Sequence, residues 1–217
     1  ANLANSQDAK SSFGKIFSID LYSNAVNLIS MGHRNPQGLA VSGVNELFSI
    51  EHGPQGGDEV NLIRKGSNYG WPLSTYGTRY GTFNYEWLIN SNVSKRDFEE
   101  PIFSFVPSVG ASSIYFIRDF YSQWAGDLLV GSLKAQTIYR LKLGKKGNVV
   151  FSEPIWIGHR VRDVNRHKGE AISILTDDGF LASLTVDDLA LQRNVKGNGL
   201  TLEAELKLCQ TCHSFES

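Results

Sequence analysis

The 217-residue sequence has one methionine and two cysteines. With no second cysteine pair, a four-cysteine zinc site is excluded. It has no excess of either charge: the formal net charge is −1. No electrostatic case therefore exists for nucleic acid or for an anionic membrane as a partner. It has no apolar run near the roughly 20 residues that span a bilayer. Its first ten residues, ANLANSQDAK, have neither a basic start nor an apolar stretch, so they do not read as a signal peptide. They also lack an initiating methionine, which fits a processed chain or a piece of a longer one.

What the sequence does have is 21 glycines, 11% aromatic residues with four tryptophans, and many Val, Ile, Leu, Tyr and Phe. Alanine-rich helical stretches are scarce. This mixture favours an all-β chain. Short strand-like runs recur between turn residues. GKIFSIDL (14–21) alternates like a half-buried strand. GLAVSGVNELFSIEHGP (38–54) reads as strand, turn and strand. GDLLVGSLKAQTIYRLKLGKKGNVV (126–150) reads as three strands joined by a turn and a basic hairpin. EAISILTDDGFLASLTV (170–186) reads as two strands around Asp178-Gly179, a strong hairpin dipeptide. Residues 64–100 read as irregular. Helical periodicity is confined to about 199–208. Repeated meanders suggest propeller blades of four strands, although a sandwich fits the pattern about as well.

Three segments concentrate chemistry. MGHRNPQGLAV (31–41) puts His33, Arg34, Asn35 and Gln37 on one short loop before an apolar strand. Such a loop is either a solvated turn or points donors at something planar and anionic. EHGPQGGDEVNLIRKGSNYGWP (51–72) breaks from a strand into Gly53-Pro54 and then Asp58-Glu59. Pro54 has no N–H and the glycines allow unusual φ, so carbonyls turned into open space beside carboxylates suit a hard cation such as Ca²⁺. The bland alternative is a surface loop with a solvated acidic pair. Lys134 follows an apolar strand. Arg160 and Arg162 lie on one face of an extended segment and could grip a carboxylate. Their bland alternative is one arginine paired to Asp163 or another acid, with the other solvated.

Taken together, these segments resemble the glucose/sorbosone dehydrogenase family, the soluble quinoprotein sugar dehydrogenases, over about Phe13 to Leu184. GHRNPQGLAV, EHGPQGGDEVNLIRKGSNYGWP, LLVGSLKAQTIYRL and RVRDV…ILTDDG stand in the family's order and at about its spacing. The resemblance implies a six-bladed β-propeller, of which residues 1–188 would form about three to four blades. It implies pyrroloquinoline quinone (PQQ) and Ca²⁺ as cofactors and oxidation of an aldose to its lactone. Arg34, Asn35, His52, Lys134, Arg160 and Arg162 would contact PQQ. The carbonyls of Gly53 and Pro54 would hold the catalytic Ca²⁺. Glu59 and the backbone of Tyr69 would form a structural Ca²⁺ site. The sequence departs from the family at Ala111-Ser112-Ser113 and at NRHKGE (165–170), both turn regions. None of His33, His52, His159, His167 or His213 matches the family's general base. We therefore expect little activity from this polypeptide alone. The alternative is a non-catalytic extracellular propeller that binds a carbohydrate or a protein.

The tail adds a separate motif, Cys209-Gln210-Thr211-Cys212-His213. C-x-x-C-H is the attachment pattern of c-type haem, with the histidine reaching the iron. A disulfide, a redox pair and a partial zinc site are the alternatives. We read 189–217 as a linker and the start of a cytochrome c domain with a short amphipathic helix. Haem c would then pass electrons singly to an acceptor such as a cytochrome or quinone. PQQ and haem c together point to the periplasm or the cell exterior.

Overall fold

The computed structural model describes residues 3–78, 80, 97–166, 171–186 and 200–203. Apart from a 3-10 turn at Leu3–Ser6, the regular structure is all β. Strands β1 (Lys15–Ile19) and β2 (Val26–Met31) form a two-stranded antiparallel sheet. Three four-stranded antiparallel sheets follow. The first is β3 (Pro36–Val41), β4 (Leu47–Glu51), β5 (Asp58–Ile63) and β6 (Phe103–Phe105). The second is β7 (Ala111–Phe116), β8 (Leu128–Ser132), β9 (Thr137–Leu143) and β10 (Val149–Trp156). The third is β11 (Val161–Arg166), β12 (Ile172–Thr176), β13 (Leu181–Val186) and β14 (Leu200–Glu203). In each, spatial order follows chain order, as in a propeller blade. The fold is a partial β-propeller, with three four-stranded blades and a two-stranded sheet among the described residues.

The expected helix over 199–208 differs where the structure describes it. Leu200–Glu203 is β14, and Leu202 pairs with Leu184 and Leu200 with Val186. The physical reason is the free edge of β13: Leu-Thr-Leu-Glu has strand alternation, and pairing there satisfies backbone groups a four-residue helical turn would leave open. Residues 204–217, including Cys209, Cys212 and His213, lie outside the described residues, as does His167.

The core lies between blades rather than inside any one of them. Phe48, Ile50 and Val60 of the first blade meet Leu128, Val130 and Leu141 of the second in one buried cluster. Leu129 and Ile138 of the second blade meet Val164, Ile172 and Ile174 of the third in another. Consecutive residues Leu128, Leu129 and Val130 are each 0% exposed because a strand sends alternate side chains to opposite faces and both faces are covered. Burial of each such side chain contributes about 1.5–3 kcal/mol. A smaller cluster of Ile16, Ile63 and Tyr69 ties β1 to the first blade.

Each blade's first strand carries the same irregularity. Register shifts fall between Pro36 and Gly38, between Ala111 and Ser113, and between Val161 and Asp163. The bulged residues are thus Gln37, Ser112 and Arg162, and all three line one open cleft of about 730 Å³ beside the inner strands. A bulge bends its strand and re-aims a side chain. Close approach of these strands is visible at Ser112, whose Oγ donates to the Val161 carbonyl at 2.6 Å.

Topology also sorts the loops. The inner strands β3, β7 and β11 all begin at one end of the blades. The turns after the second strand of each blade (52–57, 133–136 and 177–180) return to that same end. We call it the upper face.

Candidate functional site

The upper face gathers most of the residues that the sequence singled out. Arg34 and Asn35 immediately precede β3, and Arg160 immediately precedes β11. His52, Gly53 and Pro54 lie in the β4–β5 turn, and Lys134 in the β8–β9 turn.

The 32–35 loop is built around a buried acid. Glu51, the last residue of β4, is 3% exposed. Its Oε1 accepts from Asn61 Nδ2 at 2.8 Å and lies 3.1 Å from His33 Nδ1. Its Oε2 accepts the backbone N–H of Arg34 at 2.8 Å and of Asn35 at 3.4 Å. His33 points inward and is 0% exposed. Its Nε2 meets Ser30 Oγ at 2.8 Å, and its ring stacks on Tyr69 with centroids 4.6 Å apart. The polar run of the sequence therefore splits: His33 is interior, while Arg34 is half-buried and Asn35 exposed. Arg34 Nη1 donates to the His52 carbonyl at 3.0 Å, and its guanidinium sits 5.3 Å from the Trp71 ring centroid. The Asn35 side-chain oxygen accepts from Gln37 Nε2 at 2.9 Å.

The Gly53-Pro54 turn has two distinctive features. Among the described residues, nothing donates a hydrogen bond to the carbonyl of Gly53 or of Pro54, whereas those of His52 and Gln55 are both engaged. The turn is also tight, since a Cβ on Gly53 would stand 2.0 Å from the Gly57 carbonyl oxygen. Beside it lies a small, partly enclosed cavity of about 10 Å³, near the volume needed for one water-sized sphere. Glu51, His52, Gly53, Glu59, Tyr69 and Arg34 are among its walls. Glu59 and Tyr69, paired in the sequence reading, therefore border one space.

Neither Asp58 nor Glu59 is the solvated acid of the bland alternative. Asp58 is 1% exposed and accepts five hydrogen bonds. Burial, and next the neighbouring Glu51 carboxylate, push the Glu59 carboxyl up to about 8. Desolvation and a like charge both disfavour a second anion there. The Asn61 Oδ1 atom is buried without a partner. Of these groups Glu59 borders the small cavity, where a carboxyl oxygen suits a hard cation.

Arg160 and Arg162 reach the same side, but their partner is Asp177 rather than Asp163. Arg160 Nε donates to one Asp177 oxygen at 2.8 Å and Arg162 Nε to the other at 2.6 Å. The Arg162 and then the Arg160 hydrogen bonds hold the Asp177 carboxyl below the usual carboxylate range. Both guanidiniums are about half exposed. Lys134 is exposed and makes no ion pair among the described residues. Arg162 lines the open cleft, while Arg34 and His52 line the small cavity beside Gly53. The cationic groups thus share a face, but Arg162 and Arg34 line separate hollows and Lys134 and Arg160 line neither.

A family model for glucose/sorbosone dehydrogenases matches residues 2–183. The chain belongs to the glucose/sorbosone dehydrogenase family. Within that family, the chain is 35% identical over 156 residues to aldose sugar dehydrogenase YliI of Escherichia coli, covering 69% of this chain and 40% of the relative. It is 25% identical to quinoprotein glucose dehydrogenase B of Acinetobacter calcoaceticus, covering 83% and 48%. The apo crystal structure of the soluble aldose sugar dehydrogenase from Escherichia coli superposes with a TM-score of 0.69 at 30% identity, covering 81% of this chain and 55% of that one. The chain therefore spans about half the length of the glucose/sorbosone dehydrogenases it matches.

Sequence reasoning missed Glu51 and the role of Asp58. Each is an acid at a strand end next to the glycine-rich turn, Glu51 closing β4 and Asp58 opening β5. That placement was the available signal.

Proposed function

We propose that this chain supplies the cofactor-binding half of a PQQ- and Ca²⁺-dependent aldose dehydrogenase. The observation carrying the reading is the common upper face: Arg34, Lys134, Arg160 and Arg162 stand there beside two unengaged carbonyls. PQQ is a flat tricarboxylate, so fixed cations around a recess are its physical requirement. Lys134 has no competing acid. Arg160 and Arg162 hold Asp177 through half-exposed pairs, which are individually weak, so a ligand carboxylate can take Asp177's place at little cost. The kinship to proteins named aldose sugar dehydrogenase and quinoprotein glucose dehydrogenase supports the same reading.

When bound, PQQ serves as the two-electron acceptor, and Ca²⁺ polarises it. The chain's part is to bind and to orient. The carbonyls of Gly53 and Pro54, with His52 beside them, form the catalytic Ca²⁺ seat. Glu59 and Tyr69 form the structural one. Arg34 and Asn35 direct donors at the quinone oxygens, where fixed dipoles stabilise developing negative charge. The proton acceptor for the sugar hydroxyl is not placed in this segment, and we propose that the chain alone oxidises sugar poorly. His33 is excluded from that role because it is buried with both ring nitrogens engaged. The product would be the lactone. Electrons would pass to haem c held by Cys209, Cys212 and His213, or to another acceptor, in the periplasm or outside the cell.

The test is a PQQ titration of the chain with and without Ca²⁺, followed by tryptophan quenching. Ca²⁺-dependent binding that weakens in Lys134→Ala and Arg160→Ala is expected. No binding in the presence of Ca²⁺ overturns the reading and favours a non-catalytic propeller.

A further inference from the structure

We propose that Glu51 is the positioning residue of the 33–35 loop, setting where Arg34 and Asn35 stand. What that loop binds rests on the quinone reading above; the positioning itself rests on geometry. The backbone N–H groups of Arg34 and Asn35 lie ahead of β3, where no neighbouring strand offers them carbonyls. Their acceptor is one oxygen of Glu51. The other oxygen takes Asn61 from β5 and His33 from the loop itself. One carboxylate thus ties two strands of the first blade to three consecutive loop residues.

The remaining contacts fix the acid and the loop against rotation. His33 is held from its far side by Ser30 Oγ and clamped against the Tyr69 ring. The loop's backbone is pinned to the adjacent turn, with His52 N–H donating to the Asn35 carbonyl at 3.1 Å. Arg34 then has one course open: its Nη1 reaches the His52 carbonyl and its guanidinium lies against Trp71. At the loop's entry, Gly32 has a φ of +76°, and a Cβ there would meet Asn68 Oδ1 at 2.0 Å. The entry is therefore built for close approach, and its exit is set by Glu51.

Glu51→Gln preserves volume but not acceptor count. A carboxamide offers one oxygen, and its NH₂ faces donors on the other side. The loop then loses one set of partners, while the clusters between blades keep theirs. The experiment is amide hydrogen exchange of the full chain, wild type against Glu51→Gln and Glu51→Asp, with a PQQ titration in Ca²⁺ alongside. Exchange at Arg34 and Asn35 is expected to accelerate on the order of 100-fold in Glu51→Gln, as loss of a charge-assisted hydrogen bond implies. Amides of Ile50 and Val60 stay protected. Glu51→Asp, which keeps both oxygens on a shorter stem, restores part of the protection.

PQQ affinity is expected to fall about 10- to 100-fold in Glu51→Gln, the range for residues that orient a ligand-binding group. Adding Arg34→Ala to Glu51→Gln should then cost no more than Arg34→Ala alone, since coupled residues are not additive. Unchanged exchange at 34 and 35, acceleration spread equally over the chain, or additive losses would each overturn the proposal. Loosened exchange in Glu51→Gln, with no PQQ bound even by the wild type, would uphold the positioning and remove the cofactor reading instead.

Discussion

Asp58→Ala should unfold the junction between the first and second blades. Asp58 Oδ1 accepts from Gly53 N–H at 3.1 Å and Ser108 Oγ at 2.8 Å. Its Oδ2 accepts three successive N–H groups, those of Val109, Gly110 and Ala111, at 3.1, 2.8 and 3.1 Å. The acid begins β5, yet four of its five partners belong to the segment leading into β7, or to β7 itself. It holds one blade to the next at the face where Gly53 turns. A hydrogen bond to a charged acceptor contributes about 1.5–3 kcal/mol, and a buried donor left alone costs about 1–3 kcal/mol. Five such bonds do not add in full, because water reaches part of the vacated space. Removing one member of a buried charged network typically costs about 3–5 kcal/mol, so about 4 kcal/mol is expected for Asp58→Ala. Asp58→Asn, which keeps the shape but turns an NH₂ toward backbone N–H groups, should lose about half of that. Urea unfolding followed by tryptophan fluorescence measures both. A loss below about 1 kcal/mol for the alanine variant would refute the claim that this carboxylate joins the blades.

Glu59 gives a pH prediction. Its folded-state value is about 8 against an ordinary 4.5. Between these values the folded chain keeps a proton that the unfolded chain releases, so stability is full below about pH 4.5 and declines as pH rises toward 8. The decline is at most about 5 kcal/mol. Urea melts in EGTA at pH 5 and 8.5 should show it, and Glu59→Gln should flatten it; an equal slope in the variant would count against the assignment. The edge of β1 gives a third prediction. Among the described strands it pairs only with β2, and Ile19 (62%), Leu21 (87%), Tyr22 (99%) and Val26 (62%) are exposed beside it. Exposed strand edges with apolar side chains associate. Sedimentation should show concentration-dependent self-association that Ile19→Lys reduces, and a monomer at all concentrations would contradict it.

Much of the blade pattern was legible because alternation and turn chemistry agree. Asp178-Gly179 does form the β12–β13 turn, with Gly179 at a φ of +85°. The three strands read within 126–150 are β8, β9 and β10. Phe103–Phe105 was not legible, since three residues carry too little periodicity to stand out. The 200–203 strand was misread as helix because local periodicity cannot register the free edge of β13. At the site, the exposed cations were legible as residue types. Asp177 as partner of Arg160 and Arg162 was not, because the pair spans 15 and 17 residues and depends on the fold of a blade. Glu51 and Asp58 were hidden for a related reason: a buried acid shows its purpose only through donors brought from elsewhere.

The bulge shared by the three inner strands brings residues 37, 112 and 162 to the wall of one hollow. One backbone kink presents glutamine, serine and arginine in turn toward the same hollow, with the sheets behind them unaltered. A designer wishing to retune what enters that hollow would start at Gln37, which is exposed, and keep Ser112, whose hydroxyl is committed to the Val161 carbonyl. The architecture already tolerates an amide, a hydroxyl and a guanidinium on the same stem.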